Sequence, residues 1–363
     1  MIIVIADDFT GAAELAGISL RYGLSTELFV GNANDSSTDV MVISADSRSY
    51  KREEAVRRVA DISKQLSNKN PSLVFKKIDS VLRGHVVDEL KVQMQEMGLN
   101  KTFVLPANPS LGRTIVHGEY FVNGVKINET SFANDPEFPV RSSVIKEILN
   151  DEVEVVASSS VLPENGIVVG EASVKADVDT WAGKLDNSWL LAGAGDFFTA
   201  LLEKRFKAAN LPAFEIPGPH LYICGTAIEE RRKFIRQLYQ QEQCVLYLTD
   251  EADNSWLKQA AAIIETKRRL VIAVDETDKT AQELRKKMAI AARAVIEETG
   301  VQEIFIEGGS TAAAVLEELD IKKIIPVNEL SRGVVRMKVG NLFITVKPGS
   351  YQLPEEIKRL FTI

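Results

Sequence analysis

Cysteine and histidine are scarce in this sequence of 363 residues. The two cysteines, Cys224 and Cys244, form neither a CxxC pair nor a disulfide framework, which indicates a reducing compartment. The three histidines are scattered without the spacing of zinc ligands, so a histidine-based zinc site is not expected. The sequence therefore assigns no residue as a metal ligand.

The sequence also lacks a net positive charge and long hydrophobic runs. The formal net charge is -8, whereas a protein that binds nucleic acid carries a surplus of Lys and Arg on one face. No segment approaches the roughly 20 apolar residues needed to cross a bilayer, and the apolar N-terminus leads at once to Asp7 and Asp8, unlike a signal peptide. We therefore expect a cytoplasmic protein with no nucleic-acid or membrane partner. A small anionic substrate is compatible with this charge, because a few arginines suffice to bind it.

Short apolar strands alternate with helical segments along the chain. Residues 2–6 form a continuous apolar run of the buried-strand type, and the next segment places Ala12, Leu15, Ala16 and Leu20 on one helix face. Such alternation predicts βαβ units and mainly parallel sheets.

The alternation stops once, in a Pro- and Gly-containing stretch at residues 207–219, and then restarts. A single core rarely serves a chain of this length, so we expect two α/β domains, residues 1–210 and 218–363, with the active site in the cleft between them. Residues 134–143, rich in Pro and polar groups, predict a long functional loop. Near the end of the chain, residues 334–346 predict a hairpin.

Polar residues that directly follow apolar runs mark the candidate site, because α/β sheets bind ligands at the carboxyl ends of strands. The first such cluster is Asp7-Asp8-Phe9-Thr10-Gly11, in which two carboxylates and a hydroxyl precede a helix. A carboxylate at this place is equally typical of a helix cap.

Two further clusters supply arginines. In the second cluster, Asp79, Ser80 and Arg83 crowd a strand-to-helix turn. Arg83 offers a planar fork for a ligand carboxylate, or it forms a structural ion pair with Asp79. The third cluster is a Pro- and Gly-containing loop that runs from Pro106 to Arg113.

The fourth cluster, Glu307-Gly308-Gly309-Ser310-Thr311, has the features of a phosphate site. Two glycines let the backbone approach a ligand closely, and amides and hydroxyls at the start of the next helix suit phosphate oxygens. It is not a Walker A loop, since the Gly-Lys-Ser/Thr element is absent from the sequence.

Together, these clusters closely resemble the four-carbon acid sugar kinase family. In the first half of the chain the resemblance rests on Asp7-Asp8-Phe9-Thr10-Gly11, Lys77-Ile78-Asp79-Ser80-Val81-Leu82-Arg83-Gly84, Pro106-Ala107, Gly112-Arg113, Gly118 and the segment from Phe121 to Ser143. In the second half it rests on Cys224-Gly225-Thr226, Gly308-Gly309-Ser310-Thr311 and Lys347-Pro348-Gly349-Ser350-Tyr351.

The resemblance implies transfer of a phosphoryl group from ATP, with Mg²⁺, to a hydroxyl of a threonate, an erythronate or an oxo-tetronate. It implies that residues 1–210 bind the sugar acid and that residues 218–363 bind the nucleotide. Phosphoryl transfer needs a carboxylate that accepts the hydroxyl proton, and the candidates are Asp8 and Asp79. Arg83 and Arg113 would bind the substrate carboxylate. The remaining substrate-binding residues would be Asp7, Thr10, Asp46, Arg48, Ser80 and Gly84. The nucleotide would be surrounded by Gly225, Thr226, Gly308, Gly309, Ser310, Thr311 and Gly349.

Some positions depart from the family's pattern. Val81 and His85 stand where the family has threonine and asparagine, so the sequence leaves open the sugar acid, its stereoisomer and the hydroxyl that is phosphorylated. Ser310 replaces an acidic residue, and Pro348 and Ser350 alter the last loop, which leaves open how fully ATP is used.

Three other interpretations stay open. Gly193-Ala194-Gly195-Asp196 resembles the anion hole and base of ribokinase-type sugar kinases, but it lies in mid-chain, and Asp196 would otherwise cap a helix that begins at Phe197. A strand that ends in aspartates also suggests a haloacid dehalogenase-type hydrolase, although Phe9 stands where the second aspartate belongs. The non-enzymatic alternative is a sugar-acid sensor. The oligomeric state is open as well, a homo-oligomer included.

Overall fold

The computed structural model describes residues 1–32, 35–135, 138–226, 228–248, 253–274, 279–349 and 351–362. Three residues of the segments discussed above lie outside this part of the chain, namely Pro136 and Glu137 in the expected long loop and Ser350 in the last loop. The chain divides into two compact units, Met1–Asn210 and Leu211–Ile363. Each unit contains both helices and a mainly parallel sheet, so the predicted α/β class is confirmed.

The strands of the first unit are β1 (Ile2–Ala6), β2 (Thr26–Val30), β3 (Val40–Ser44), β4 (Leu73–Lys77), β5 (Lys101–Leu105), β6 (Arg113–Val116), β7 (Glu119–Val122), β8 (Val125–Lys126), β9 (Glu154–Val156), β10 (Gly166–Gly170) and β11 (Leu190–Gly193). Its helices are α1 (Phe9–Leu20), α2 (Arg52–Leu66), α3 (Val86–Met97), α4 (Ile145–Ile148), α5 (Lys175–Lys184) and α6 (Gly195–Glu203). The main sheet has the order β2-β3-β1-β4-β11-β5-β10-β9, and its paired strands run parallel. Strands β6, β7 and β8 form a separate antiparallel sheet.

The strands of the second unit are β12 (His220–Cys224), β13 (Val245–Tyr247), β14 (Arg269–Ala273), β15 (Glu303–Glu307), β16 (Lys323–Ser331), β17 (Val334–Val339) and β18 (Leu342–Lys347). Its helices are α7 (Glu229–Gln241), α8 (Asn254–Lys267), α9 (Ala281–Thr299), α10 (Gly309–Glu318) and α11 (Glu355–Phe361). Strands β13, β14, β12, β15 and β18 are neighbours in that order and run parallel, and the antiparallel strands β17 and β16 continue the sheet.

The core of the first unit explains why strand β1 is apolar throughout. Ile3 and Ile5 of β1 are fully buried against Val59 and Ile62 of α2, while the alternate residues of β1 are buried on the opposite face. A strand covered on both faces has no polar side, which is the pattern of a parallel sheet. Burial of each such side chain contributes roughly 1.5–3 kcal/mol.

Helix α1 shows how local signals fix an element's ends. Asp8 is its N-cap and accepts a hydrogen bond from the amide of Gly11 at 2.9 Å. The helix ends in a turn in which the amide of Arg21 bonds the carbonyl of Ile18, and Gly23 then adopts a φ of +68°. The sequence places this strand-to-helix turn correctly.

Two further local predictions, a hairpin and the end of a helix, are also confirmed. The predicted hairpin is β17–β18, and helix α9 ends at Gly300, which takes the left-handed conformation of a C-cap. The predicted loop at residues 134–143 contains neither an α-helix nor a strand in its described residues. Among the described residues, no helix has the length and apolar content needed to cross a membrane.

Candidate functional site

The carboxyl ends of five neighbouring strands of the first unit meet at one edge of its sheet. Pairing places Ala6 of β1 beside Ser44 of β3 and Lys77 of β4, and it places Gly193 of β11 beside Lys77 and Leu105 of β5. Residues that follow these positions gather at the edge where α/β sheets bind ligands. The predicted residues that follow these ends are Asp7, Asp8, Thr10, Asp46, Arg48, Asp79, Ser80, Arg83, Gly84 and Arg113.

Arg48 lies at the centre of this group. Its Nη1 is 2.9 Å from Oδ1 of Asp79 and 3.7 Å from Oδ2 of Asp7, and its Nη2 contacts Oδ2 of Asp8. Burial acts to lower the pKa of Arg48, but the three carboxylates outweigh it and raise the pKa above its ordinary value. Gly84 has a φ of +92°, and a Cβ there would lie 3.3 Å from Cγ of Arg48, so glycine allows this close packing.

Asp8 is both a helix cap and a member of the charged cluster. Its Oδ2 accepts a hydrogen bond from Oγ1 of Thr10 at 2.5 Å, and its Oδ1 accepts the amide of Gly11. Burial acts to raise the pKa of Asp8, but the positive charges of Arg48 and Lys77, together with these hydrogen bonds, hold it below its ordinary value. The carboxylate is therefore ionised at neutral pH.

Asp7 keeps one oxygen without a partner. Its Oδ2 accepts a hydrogen bond from the amide of Asp79 at 3.2 Å, whereas its Oδ1 is buried and accepts no hydrogen bond from any described residue. Burial, reinforced by the negative charge of Asp8 and opposed by Arg48, raises the pKa of Asp7 to about 6. A buried acceptor of this kind is suited to a ligand hydroxyl.

Asp79 is saturated with donors. Its Oδ2 accepts Nε of Arg83 at 2.9 Å and the amides of Val81 and Arg83, and its Oδ1 accepts Nη2 of Arg83 and Nη1 of Arg48, both at 2.9 Å. Burial opposes ionisation, but the attraction of Arg83 and its hydrogen bonds hold the pKa of Asp79 well below the ordinary range. The ion pair that the sequence offered as an alternative is therefore present, in the two-pronged geometry typical of arginine.

Arg83 and Arg113 differ in their partners. Besides Asp79, Arg83 binds Oδ2 of Asp135 through Nη1 at 2.9 Å. Arg113 donates through Nη1 to Oγ of Ser80, and within the described part of the chain it pairs with no carboxylate. The ring of Phe132 lies 5.7 Å from Cζ of Arg83 and 5.8 Å from Cζ of Arg113. Arg113 is consequently the guanidinium of this cluster that is open to an anionic ligand.

Asp46 stands in a constrained turn after β3. Its φ is 49°, in the left-handed region, and its Oδ1 accepts a hydrogen bond from Oγ of Ser49 at 3.1 Å. Burial raises the pKa of Asp46 to about 6, although the Ser49 hydrogen bond acts in the opposite direction. Asp46 therefore titrates close to neutral pH.

Sequence reasoning did not assign a role to two buried residues of this unit. Lys77 is 5% exposed, donates to the carbonyl of Ile78 at 3.0 Å and lies 3.8 Å from Oε2 of Glu14. Tyr120 is fully buried and donates its hydroxyl to the carbonyl of Ser80 at 2.5 Å. The sequence could have pointed to Lys77, because it is a lysine at the end of an apolar strand. Nothing in the sequence singles out Tyr120, whose role is visible only in the fold.

In the second unit, the three predicted nucleotide segments begin at matching positions on adjacent strands. Cys224 of β12 pairs with Glu307 of β15, which pairs with Lys347 of β18. The following residues continue this contact, since the amide of Gly225 bonds the carbonyl of Glu307 and the amide of Gly308 bonds the carbonyl of Lys347. The three segments therefore form one edge, as the sequence predicts for a common ligand.

Glycine is required at two positions of this edge. A Cβ at Gly225 would lie 1.9 Å from Oγ1 of Thr311, and Gly308 has a φ of +106°. Gly308 is the N-cap of α10, so Gly309, Ser310 and Thr311 present their amides in its first turn. This arrangement suits phosphate oxygens, because the first amides of a helix have no intrahelical partner.

A buried charged network that the sequence analysis missed lies beneath these loops. The carboxylate of Glu307 accepts hydrogen bonds from the hydroxyl of Tyr222 and from Nε of Arg231, and it lies 3.0 Å from Nζ of Lys347. Burial lowers the pKa of Lys347, although Glu307 opposes that shift. Nζ of Lys347 also donates to the carbonyls of Pro348 at 2.7 Å and Gly349 at 3.3 Å, so the network anchors the last loop.

Within the described ranges, no group of three or more His, Cys, Asp or Glu side chains is placed to hold a metal ion. The aspartates of the first unit instead contact arginines, as described above.

Comparison with known families and proteins tests the resemblance. Residues 2–196 match the family model described as a sugar-binding N-terminal domain, and residues 206–351 match a nucleotide-binding C-terminal domain. The chain belongs to the four-carbon acid sugar kinase family. The resemblance identified from the sequence is thereby confirmed, and the kinase family's two domains together cover most of the chain.

Alignments with relatives extend over long parts of the chain. A D-threonate kinase of Salmonella typhimurium is 26% identical over 364 aligned residues, which cover 86% of this chain and 85% of the relative. A D-erythronate kinase of Heliobacterium modesticaldum is 31% identical over 206 residues, which cover 50% of this chain and 47% of the relative. The structure of a DUF1537-family protein of Haemophilus influenzae matches 99% of this chain and 98% of its own, with a TM-score of 0.76 and 20% identity, which shows a shared fold.

One local prediction is wrong. Asp196 does not cap a helix that begins at Phe197, because α6 already begins at Gly195 with Ala194 as its N-cap. The Asp196 carboxylate instead accepts the amide and the hydroxyl of Ser110. The competing donors on a distant loop were not visible in the local sequence.

Proposed function

We propose that this chain transfers the γ-phosphoryl group of ATP to a hydroxyl of a four-carbon sugar acid of the threonate, erythronate or 3-oxo-tetronate type. Family membership supports this chemistry over that of a dehalogenase-type hydrolase. The structural observation that carries the proposal is the aspartate cluster of the first unit with Arg113 at its side, since Arg113 has no carboxylate partner among the described residues.

Arg113 binds the carboxylate of the sugar acid. A guanidinium recognises a carboxylate through two parallel hydrogen bonds. An arginine that is already paired with a carboxylate of the protein has fewer donors left for the ligand. Arg83 binds Asp79 with two of its nitrogens and Asp135 with the third, so its contacts favour a positioning role over the substrate-binding role expected from the sequence. Arg48 likewise holds the aspartates in place.

Asp8 accepts the proton of the reacting hydroxyl. Of the two carboxylates considered from the sequence, Asp79 already accepts five hydrogen bonds, whereas Asp8 accepts those of Thr10 and Gly11 and contacts Arg48. In the reaction, the hydroxyl oxygen bonds to the γ-phosphorus, the bond from that phosphorus to the bridging oxygen breaks, and ADP leaves. The proton passes to Asp8.

The other hydroxyls of the sugar acid meet the remaining polar groups of this edge. Oδ1 of Asp7 is the first candidate, because it is buried without a hydrogen bond from a described residue. Thr10, Asp46 and Ser80 supply further oxygens, and Gly84 contributes by making room for Arg48.

The second unit binds ATP. Gly308, Gly309, Ser310 and Thr311 hold phosphate oxygens at the start of α10, and Gly225, Thr226 and Gly349 line the two flanking loops. Magnesium would be bound mainly by the phosphates of ATP, the usual arrangement for this ion. That the two sites face each other across a cleft stays a prediction.

The test is an ADP-release assay on the purified full chain with a panel of threonates, erythronates and 3-oxo-tetronates, paired with calorimetric binding of each acid. We expect ADP and a phosphorylated product with at least one stereoisomer. Calorimetric binding of a sugar acid without ADP release would instead establish the sensor, and phosphate release from a phosphoester without nucleotide would establish a phosphatase.

A further inference from the structure

The Gly193-Ala194-Gly195-Asp196 turn, which the proposed function leaves without a role, packs against the loop that carries Arg113. Gly193 pairs with Leu105, and the amide of Ala194 donates to the carbonyl of Leu105 at 3.1 Å. A Cβ at Gly193 would lie 2.3 Å from that carbonyl oxygen, so a side chain at this position would force the two segments apart. Gly193 therefore allows the turn to pack directly against the end of β5.

Asp196 fastens this contact with three hydrogen bonds. Its Oδ2 accepts the amide of Ser110 at 2.9 Å, its Oδ1 accepts Oγ of Ser110 at 2.7 Å, and its own amide donates to Oδ1 of Asn108 at 3.0 Å. Asn108 is only 1% exposed, which places part of this contact in the interior. Both carboxylate oxygens are therefore engaged with one loop residue.

The loop transmits this constraint to Arg113. Asn108 and Arg113 exchange backbone hydrogen bonds, from the Asn108 amide at 2.7 Å and from the Arg113 amide at 3.2 Å, and the amide of Gly112 bonds the carbonyl of Pro109. Residues 108–113 form a closed turn that starts at the Asp196 contact and ends at the guanidinium bound to Ser80. Displacement of Ser110 would move Arg113 with it.

We propose that Asp196 is a positioning residue for recognition of the sugar acid, because it holds the 108–113 turn and thereby aims Arg113. The inference rests on the proposed function, in which Arg113 binds the substrate carboxylate. It differs from the ribokinase-type interpretation, in which Asp196 would itself take the hydroxyl proton. It also differs from a purely structural role, because loss of the Asp196 side chain should change the KM of the sugar acid and leave the KM of ATP unchanged.

The experiment compares Asp196→Ala, Asp196→Asn and Ser110→Ala in steady-state kinetics on the full chain, with thermal melts to confirm folding. Loss of hydrogen bonds to a charged group predicts a rise of about tenfold in the KM of the sugar acid for Asp196→Ala. Asparagine keeps one acceptor, so Asp196→Asn should raise that KM less, and Ser110→Ala should resemble it. The kcat and the KM of ATP should stay within about threefold, as expected when ground-state and transition-state binding are lost equally.

The control is Asp179→Asn. Asp179 lines the same pocket of about 400 Å³ as Asp196 but contacts Lys175, at 2.7 Å, instead of the 108–113 turn. This variant should leave both KM values unchanged.

A double-mutant cycle distinguishes the inference from the function on which it rests. In an Arg113→Ala background, Asp196→Ala should add little to the KM, because the residue that it aims is gone. An unchanged sugar-acid KM in Asp196→Ala, or additive effects in the cycle, would overturn the positioning role. A large fall of kcat in Asp196→Asn at constant KM would overturn it in favour of a base. If Arg113→Ala itself leaves the KM unchanged, the proposed carboxylate site is what fails.

Discussion

Lys347 and Glu307 occupy paired positions on adjacent parallel strands, and Nζ of Lys347 lies 3.0 Å from Oε1 of Glu307 in a buried setting. The same ammonium donates to the carbonyls of Pro348 and Gly349. A backbone turn beside the proposed phosphate site thus depends on a charge pair beneath it.

Replacing Lys347 with Met should weaken ATP binding while sparing the sugar acid. The loop carbonyls lose their donor, and a displaced loop predicts a rise in the KM of ATP of about ten- to a hundredfold. Removing one partner of a buried pair costs up to about 3–5 kcal/mol, so the denaturation midpoint should also fall. Lys338→Met, which alters an exposed lysine on β17, is the control. An ATP KM equal to the parent's would contradict the assigned role.

Asp8→Asn should lower kcat by about 10²- to 10⁴-fold with little change in either KM, because asparagine cannot accept the hydroxyl proton. Asparagine is also a good N-cap, so α1 should stay folded. The measurement is steady-state kinetics, with circular dichroism as the folding check. Asp88→Asn is the matched control, since Asp88 pairs with the exposed Arg52. Full activity of Asp8→Asn would move the proton acceptor to another carboxylate.

Arg113→Ala should raise the KM of the sugar acid by about 10- to 100-fold, the loss expected for charge-assisted hydrogen bonds. The KM of ATP should not change. An uncharged analogue without the carboxylate should bind the parent and the variant equally, which competition assays would show. Arg52→Ala, at an arginine that is 65% exposed, is the control. A loss that is equal for the acid and the uncharged analogue would argue against carboxylate recognition.

Asp46→Asn should stabilise the protein at neutral pH. Burial raises the pKa of Asp46 to about 6 from the ordinary value of 3.8, so the native state binds a proton between these values while the unfolded state does not. Stability therefore falls as pH rises through this window, and the full cost, at most about 3 kcal/mol, is present above pH 6. Asparagine avoids the cost and tolerates the left-handed conformation.

The measurement for Asp46→Asn is the free energy of unfolding in urea at pH 7.5 and at pH 4.5. We expect a clear gain at pH 7.5 and a smaller gain at pH 4.5. Asp61→Asn, on an exposed position of α2, should show no such dependence. An equal gain at both pH values would mean that the charge of Asp46 is not the cause.

The sequence predicted the places of the site better than its contacts. Asp7, Asp79 and Gly308 were found because each follows an apolar strand, and parallel pairing brings such positions to one edge. The partners were hidden because they are far apart in the chain, as in Arg48 with Asp79, 31 residues away, and in Arg83 with Asp135, 52 residues away. Nothing in a local pattern says which of several arginines takes which carboxylate.

For the fold as well, the sequence revealed some elements and missed others. Continuous apolar runs revealed the central strands, but β16 was missed because it contains Pro326 and is only partly buried. Strands β6 and β7 were missed because each has only four residues and pairs outside the main sheet. Short strands are decided by their partners more than by their own residues.

Asp79 carries a further consequence for selectivity. Arg83 donates to both carboxylate oxygens of Asp79, so its guanidinium is already occupied by an acidic group of the protein and is not available to a carboxylate of the ligand. Arg113 can therefore bind one carboxylate of a four-carbon diacid such as tartrate. The second carboxylate of the diacid would be repelled by the aspartates of the cluster. The enzyme should thus discriminate between monoacids and diacids of equal length, and tartrate should inhibit it poorly.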